Sequence, residues 1–99
     1  MAYVLKMTSV KPSGTEWASA AMTDINKRYW QWVKQYPGVL SVANNFVQDS
    51  DHNEKIIIFK DKETYDSWLV DRSQNPDFIA RLEHQSEFNH QVTIETYEA

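Results

Sequence analysis

The chain contains no cysteine, which rules out a disulfide framework, a thiol nucleophile and a thiolate metal site. Glycine is nearly absent, with two residues in 99. Phosphate cradles and dinucleotide-binding turns need glycine-rich backbone, so nucleotide recognition of that kind is not expected, and there is no G-x-S-x-G nucleophile elbow. No apolar run approaches the roughly 20 residues of a membrane span, and the N-terminal MAYVLKMTSV lacks the basic-then-apolar order of a leader peptide. Positive charge is scarce and scattered: ten Lys and Arg against fourteen Asp and Glu give a net charge of -4, and no basic cluster is longer than Lys27-Arg28. Nucleic acid and anionic membrane reward concentrated positive charge, so neither is an expected partner. These features predict a soluble, unprocessed, cytoplasmic protein forming a single domain over residues 1–99.

What the chain does have is apolar and aromatic content, 41% and 13%, arranged around a central stretch from Pro37 to Lys60. Two strand-like runs, Val39 to Gln48 and Lys55 to Lys60, flank the polar segment Asp49 to Glu54, which reads as a hairpin loop. In the second run Ile56, Ile57, Ile58 and Phe59 are apolar without alternation, the pattern of a strand buried on both faces. Before the hairpin, Tyr3 to Val10 alternates as a first strand. Ser13 and Glu16 then have capping-box spacing for a helix to about Gln35, with Thr15 as the alternative cap. At about 100° per residue its apolar stripe is Ala18, Ala21, Met22, Ile25, Tyr29, Trp32 and Tyr36, and Trp30 points about 140° from Ile25. Trp30 is then either an interface residue or a partly exposed aromatic. Pro37-Gly38 stops the helix.

After the hairpin, Asp61 is the expected cap of a second helix carrying Tyr65, Trp68 and Leu69, interrupted at Ser73 to Asp77. Asn75 as cap and Pro76 in the first helical position restart it, with Phe78, Ile79 and Leu82 as the buried face and Phe88 near the end. Gln91 to Tyr97 alternates as a last strand. The order is βαββαβ, an α+β ferredoxin-like fold with a four-stranded antiparallel sheet. Right-handed crossovers put both helices on one face and leave the other open. Val39, Ala43 and Val47 fall on one face of the second strand and Leu40, Val42 and Phe46 on the other. An open apolar sheet face of that extent marks an association surface, and a homodimer packed sheet to sheet would cover it.

Three local matches, Tyr36-Pro37-Gly38-Val39-Leu40-Ser41, the strand Lys55 to Phe59 running into Lys60-Asp61-Lys62-Glu63-Thr64-Tyr65, and Asp66-Ser67-Trp68-Leu69, together with the element order, resemble the dimeric α+β barrel superfamily and its antibiotic-biosynthesis monooxygenase-like members. The resemblance implies a homodimer and one of several roles, including cofactor-independent oxygenation of aromatic polyketides and haem degradation. The haem-degrading members use an Asn on the first strand, a Trp on the second helix and a later axial His. Trp68 and His84 sit in those regions, but Tyr3 to Val10 has no Asn and His84 lies two residues later relative to Phe78 than that pattern requires. Haem degradation is therefore not carried over. No cofactor or metal is expected, since the chain has neither a cysteine nor a close histidine pair, and the acidic loop around His52 fits no EF-hand or zinc-helix spacing.

The candidate ligand-binding residues are Asn44, Asn45, Tyr65, Trp68 and His84. Trp68 either lines a helix-to-sheet cleft or is packed core, the commoner fate of a Trp beside Tyr65 and Leu69. His84 either meets a ligand or is a solvated helical histidine between Glu83 and Gln85. Whichever of Asn44 and Asn45 faces inward must find a hydrogen-bond partner, because an unpaired buried amide costs roughly 1 to 3 kcal/mol. Three functions follow: a dimeric protein binding a small apolar or aromatic molecule in the cleft, a cofactor-independent monooxygenase-like enzyme whose substrate supplies the electrons, and a structural dimer without a ligand.

Overall fold

Seven elements follow one another along the chain: β1 (Tyr3–Val10), α1 (Ala20–Gln35), β2 (Val39–Asn45), β3 (His52–Phe59), α2 (Lys62–Ser73), α3 (Pro76–Glu87) and β4 (Gln91–Glu98). They are seen in a computed structural model that describes residues 1–17, 20–47 and 49–99, with the side chains of residues 20 and 21 excepted. The strands form one antiparallel sheet in the order β2-β3-β1-β4. This is the ferredoxin-like α+β arrangement, with its second helix broken into α2 and α3.

The helix boundaries after the hairpin follow their capping chemistry. Asp61 Oδ1 accepts the Thr64 backbone N–H at 2.8 Å and the Thr64 hydroxyl at 2.7 Å. Asn75 Oδ1 accepts from the Asp77 and Phe78 amides, and Pro76 takes the first turn of α3, where its missing N–H costs nothing. Gly38 ends the passage from α1 to β2 with φ +92, and a Cβ there would meet Thr64 Cγ2 at 2.5 Å. At the start of α1 the chain departs from the expected capping box. The Ser13 hydroxyl donates to Asp51 Oδ2 and the Thr15 hydroxyl to the Pro12 carbonyl, so residues 11–17 form a loop docked on the hairpin rather than a helical turn. Ala18 and Gln48, expected in helix and strand respectively, lie outside the described residues.

One residue decides the facing of β2. Val39 pairs with Phe59 and Ser41 with Ile58, leaving Leu40 as a bulge. The extra residue reverses the parity, so Val39 and Val42 share the helix-covered face, while Ala43, opposite Ile56, turns to the other. The expected grouping of Val39 with Ala43 is corrected by this bulge. On the helix-covered face, Tyr3, Leu5, Met7, Ile57 and Phe59 meet Tyr29, Trp30, Val33 and Trp68 in one buried cluster. The opposite face is only partly apolar. Ile56 and Ile58 are half-buried there, but Lys6 lies opposite Ile56 and pairs with Glu54 at 3.5 Å.

The buried faces of two helices are rotated from those expected. On α1, Met22, Tyr29, Trp30 and Val33 are buried, so the stripe centres on Met22 and Tyr29 rather than Ile25, and Trp30 is core at its edge. α1 packs against α3 as well as the sheet, with Tyr29 and Phe78 stacked at 5.8 Å. This second neighbour widens the face that must be apolar. On α3, Ile79 and Leu82 are 44% and 47% exposed. The inward side is Phe78 and Arg81 instead, the guanidinium lying 4.5 Å from the Tyr29 ring centroid.

Candidate functional site

The helix-covered face of the sheet changes character along its length. Toward its Tyr3–Phe59 end it is dry and filled: Trp68 is 1% exposed, with its ring 5.1 Å from Phe59 and 6.3 Å from Tyr65, and Tyr65 in turn lies 5.0 Å from Tyr3. Toward the hairpin end the same strand faces present Ser9, Asn53, Lys55 and Asn44 in place of hydrocarbon. Over these residues α1, α3 and the flanking loops stand apart and leave a cleft of about 830 Å³.

Each wall is built by local periodicity. Along α1, Met22, Asn26, Trp30 and Lys34 repeat every four residues and line one side. Along α3, Arg81, His84 and Gln85 line the other. His90 is placed by a Schellman turn: Asn89 takes a left-handed φ of 57, the His90 amide donates to the Gln85 carbonyl at 2.9 Å and the Asn89 amide to Ser86. This folds His90 back on His84, ring centroids 5.4 Å apart. Two histidines six residues apart thereby become the close pair that the spacing alone did not suggest. Trp17 closes the mouth, its indole N–H donating to the Ser50 carbonyl at 2.6 Å and its ring 5.3 Å from His90 and 6.2 Å from Phe46. Beneath it Lys11 Nζ pairs with Asp51 at 2.8 Å, so the polar segment read as a hairpin loop also anchors residues 11–17.

The charge of the cleft opposes that of the chain. Lys27, Lys34, Lys55 and Arg81 line it, and among the described residues no Asp or Glu does, although the protein carries -4 overall. Lys55 is 8% exposed and its ammonium lies 5.4 Å from the Trp30 ring centroid. No ion pair forms at Lys55 or Arg81 among the described residues. Burial, and then the nearby Arg81, push the Lys55 amine down from 10.5 to about 8. Arg81 Nε donates to Asn26 Oδ1 at 2.9 Å, and its guanidinium sits 5.1 Å from the Trp30 centroid. Burial lowers its pKa too, but a guanidinium stays charged under all ordinary conditions. Burial is also the chief cause holding His84 and His90 below the usual imidazole range, so both rings are mainly neutral at pH 7. His90 Nε2 is buried without a partner among the described residues.

Of the residues singled out from the sequence, Asn44 and His84 line this cleft. Asn45 pairs with Glu54 on the opposite sheet face, and Tyr65 and Trp68 belong to the dry end, away from Asn44. Lys55, Arg81, Trp30, Trp17 and His90, absent from that set, form most of the polar and aromatic wall. Among the described residues no group of three or more His, Asp or Glu side chains is placed to hold a metal ion, and no helix is long and apolar enough to cross a membrane.

No family model matches the sequence and no curated protein is detectably similar to it. Its shape, in contrast, matches solved structures over nearly its whole length. SnoaB, a cofactor-independent oxygenase from Streptomyces nogalater, is 15% identical over 98% of this chain and 92% of its own, with a TM-score of 0.65. A Deinococcus radiodurans protein designated an antibiotic biosynthesis monooxygenase is 16% identical over 97% of this chain and 91% of its own, also at 0.65. The chain shares the ferredoxin-like α+β fold of these proteins. Rv0793 from Mycobacterium tuberculosis is similar in the same way, 11% identical over 98% of this chain and 94% of its own, with a TM-score of 0.67. At such identities these proteins share a backbone with the chain and nothing finer.

Proposed function

We propose that the protein binds a small aromatic molecule in the cleft between α1, α3 and the hairpin end of the sheet. The observation that supports this most is an open volume of about 830 Å³ walled by Trp17, Trp30 and Phe46, in a fold whose other end is packed without a comparable gap. Aromatic walls offer stacking area, and the few polar groups between them fix orientation. The test is an aromatic fragment screen read by the indole N–H resonances of the four tryptophans. Trp17 and Trp30 are expected to shift while Trp68 stays still; shifts confined to Trp68 would contradict the placement.

A second reading, cofactor-independent oxygenation of an aromatic substrate, is favoured by one group in the cleft. An amine at about 8 is a general base matched to neutral solution, and in such chemistry the protein need only deprotonate and hold a substrate that itself supplies the electrons. Oxygen uptake with an electron-rich polyphenol, lost in Lys55→Met, is the expected sign; uptake equal to that of the variant would exclude it.

We also propose that the helix-free sheet face pairs two copies. Half-buried Ile56 and Ile58 on β3, with exposed Leu40 on β2 and Tyr97 on β4, support this. Ile58→Glu would then leave a monomer by light scattering, because a buried unpaired charge costs several kcal/mol. A wild-type monomer at micromolar concentration would contradict the pairing.

A further inference from the structure

The geometry points to an anionic ligand: we infer that the cleft selects planar aromatic molecules bearing a negatively charged oxygen, which sits between Lys55 and Arg81 while the ring lies against Trp30. This rests on the reading of the cleft as an aromatic-binding site and adds the chemistry of the group that is bound.

Three independent features carry it. The first is the missing counter-charge. Lys55 is nine-tenths buried, yet among the described residues no carboxylate faces it from any wall: α3 presents Arg81, His84 and Gln85, α1 presents Lys27, Gln31 and Lys34, β2 presents Asn44, and the turn into β4 presents His90. Buried charges in folded proteins are normally paired, because removing an ammonium from water unaccompanied is costly. The second is arrangement. The guanidinium is tied through Nε to Asn26 at 2.9 Å and also meets the Tyr29 side chain, which fixes its plane, and both cations stand 5.1 to 5.4 Å from the same Trp30 ring. An aromatic ring stacked near Trp30 therefore carries its substituent to both cations at once. The third is contrast with the rest of the molecule. Arg28, Lys11, Lys62 and Lys6 each have a carboxylate within 3.5 Å, and of the six lysines and arginines with no ion pair among the described residues, four, Lys27, Lys34, Lys55 and Arg81, line this cleft.

Carboxylate and ionised phenol share this chemistry, an oxygen anion in the plane of a ring, and the geometry favours neither. The experiment compares 2-naphthoate, 2-naphthol and 2-naphthamide on the full-length protein at pH 7, using tryptophan fluorescence and the indole N–H resonances. The naphthoate is expected to bind at least about tenfold more tightly than the equally shaped amide, the scale of a charge-assisted hydrogen bond over a neutral one, and to lose that preference in Lys55→Met and in Arg81→Gln. Lys55→Arg should restore it in part. A naphthol whose affinity rises with pH below about 8, where Lys55 keeps its charge, marks the phenolate as the preferred form; a flat naphthol profile over that range with tight naphthoate binding marks the carboxylate. Equal binding of naphthoate and amide overturns the anion inference and leaves the aromatic cleft standing. Binding of none of the three overturns both. The charge preference is measured on the wild-type protein, so it remains decisive even if Arg81→Gln fails to fold.

Discussion

One face of one sheet has two ends that do opposite things. At one end Ile57 and Phe59 of β3 meet Leu5, Tyr3 and Trp68 with no room left. Two to four residues earlier on the same strand face, Lys55 and Asn53 are as buried as their neighbours, and the helices above them do not close. Hydrophobic burial of about 25 cal/mol per Å² rewards filling the first end completely, whereas the second carries desolvated charge that the fold leaves unneutralised. A protein stabilised only by packing would put hydrocarbon at both ends. The difference is best understood as stability given up at the hairpin end to keep a cleft open and charged.

The comparison is broken most severely at the dry end. Trp68→Ala is expected to cost roughly 3 to 5 kcal/mol in chemical denaturation, as removal of a fully enclosed large ring does, and to leave naphthoate affinity unchanged wherever the protein remains folded. A small loss of stability would mean that the ring fills a partly empty space. The reverse is expected at the other end. Lys55→Met should raise stability at pH 7 by on the order of 3 kcal/mol, since the Lys55 amine is moved from 10.5 to about 8 by burial and each unit corresponds to about 1.4 kcal/mol, while weakening anion binding. Destabilisation by Lys55→Met would instead indicate a lysine held by favourable contacts.

The same group gives a pH signature. Its folded pKa of about 8 lies below the ordinary 10.5, so between those values the unfolded chain holds the proton that the folded chain has released, and stability rises as pH rises. That rise should vanish in Lys55→Met, with Arg81, Lys27, Lys34, His84 and His90 around it unchanged. The smallest effect belongs to the histidines. Both are held below the usual imidazole value, chiefly by burial, so stability should fall as pH drops through about 6.5, and His84→Gln with His90→Gln should flatten that fall. An unaltered acid limb would show that these rings titrate freely.

Much of the architecture was legible because it is written in local chemistry. Asp61, Asn75-Pro76 and Pro37-Gly38 mark helix ends through side-chain acceptors and missing donors that act within a few residues. The cleft was not, because it depends on parity and rotation. Leu40 adds one residue to β2 and reverses which side chains face the helices. A stripe centred on Ile25 left Trp30 outside, and Ile79 and Leu82 drew attention from Arg81, whose aliphatic stem and planar head cover Tyr29 as a hydrophobic residue would. A usable signal was present at Lys55. It stands two residues before Ile57 and four before Phe59, so the period of two already assigned it to the core face, and a lysine on a core face asks for an anion. His90 gave no such signal, because its place follows from the left-handed turn at Asn89.

The most direct measurement is the titration of the Lys55 side-chain ammonium by NMR in protein labelled at lysine, first alone and then with saturating 2-naphthoate. An unneutralised ammonium in a partly dry cleft titrates near 8 in the free protein and moves up toward its ordinary 10.5 when an anion takes the empty position beside it. A lysine that titrates at its ordinary value in the free protein, or one that titrates near 8 and does not respond to the anion, would contradict the account of this cleft.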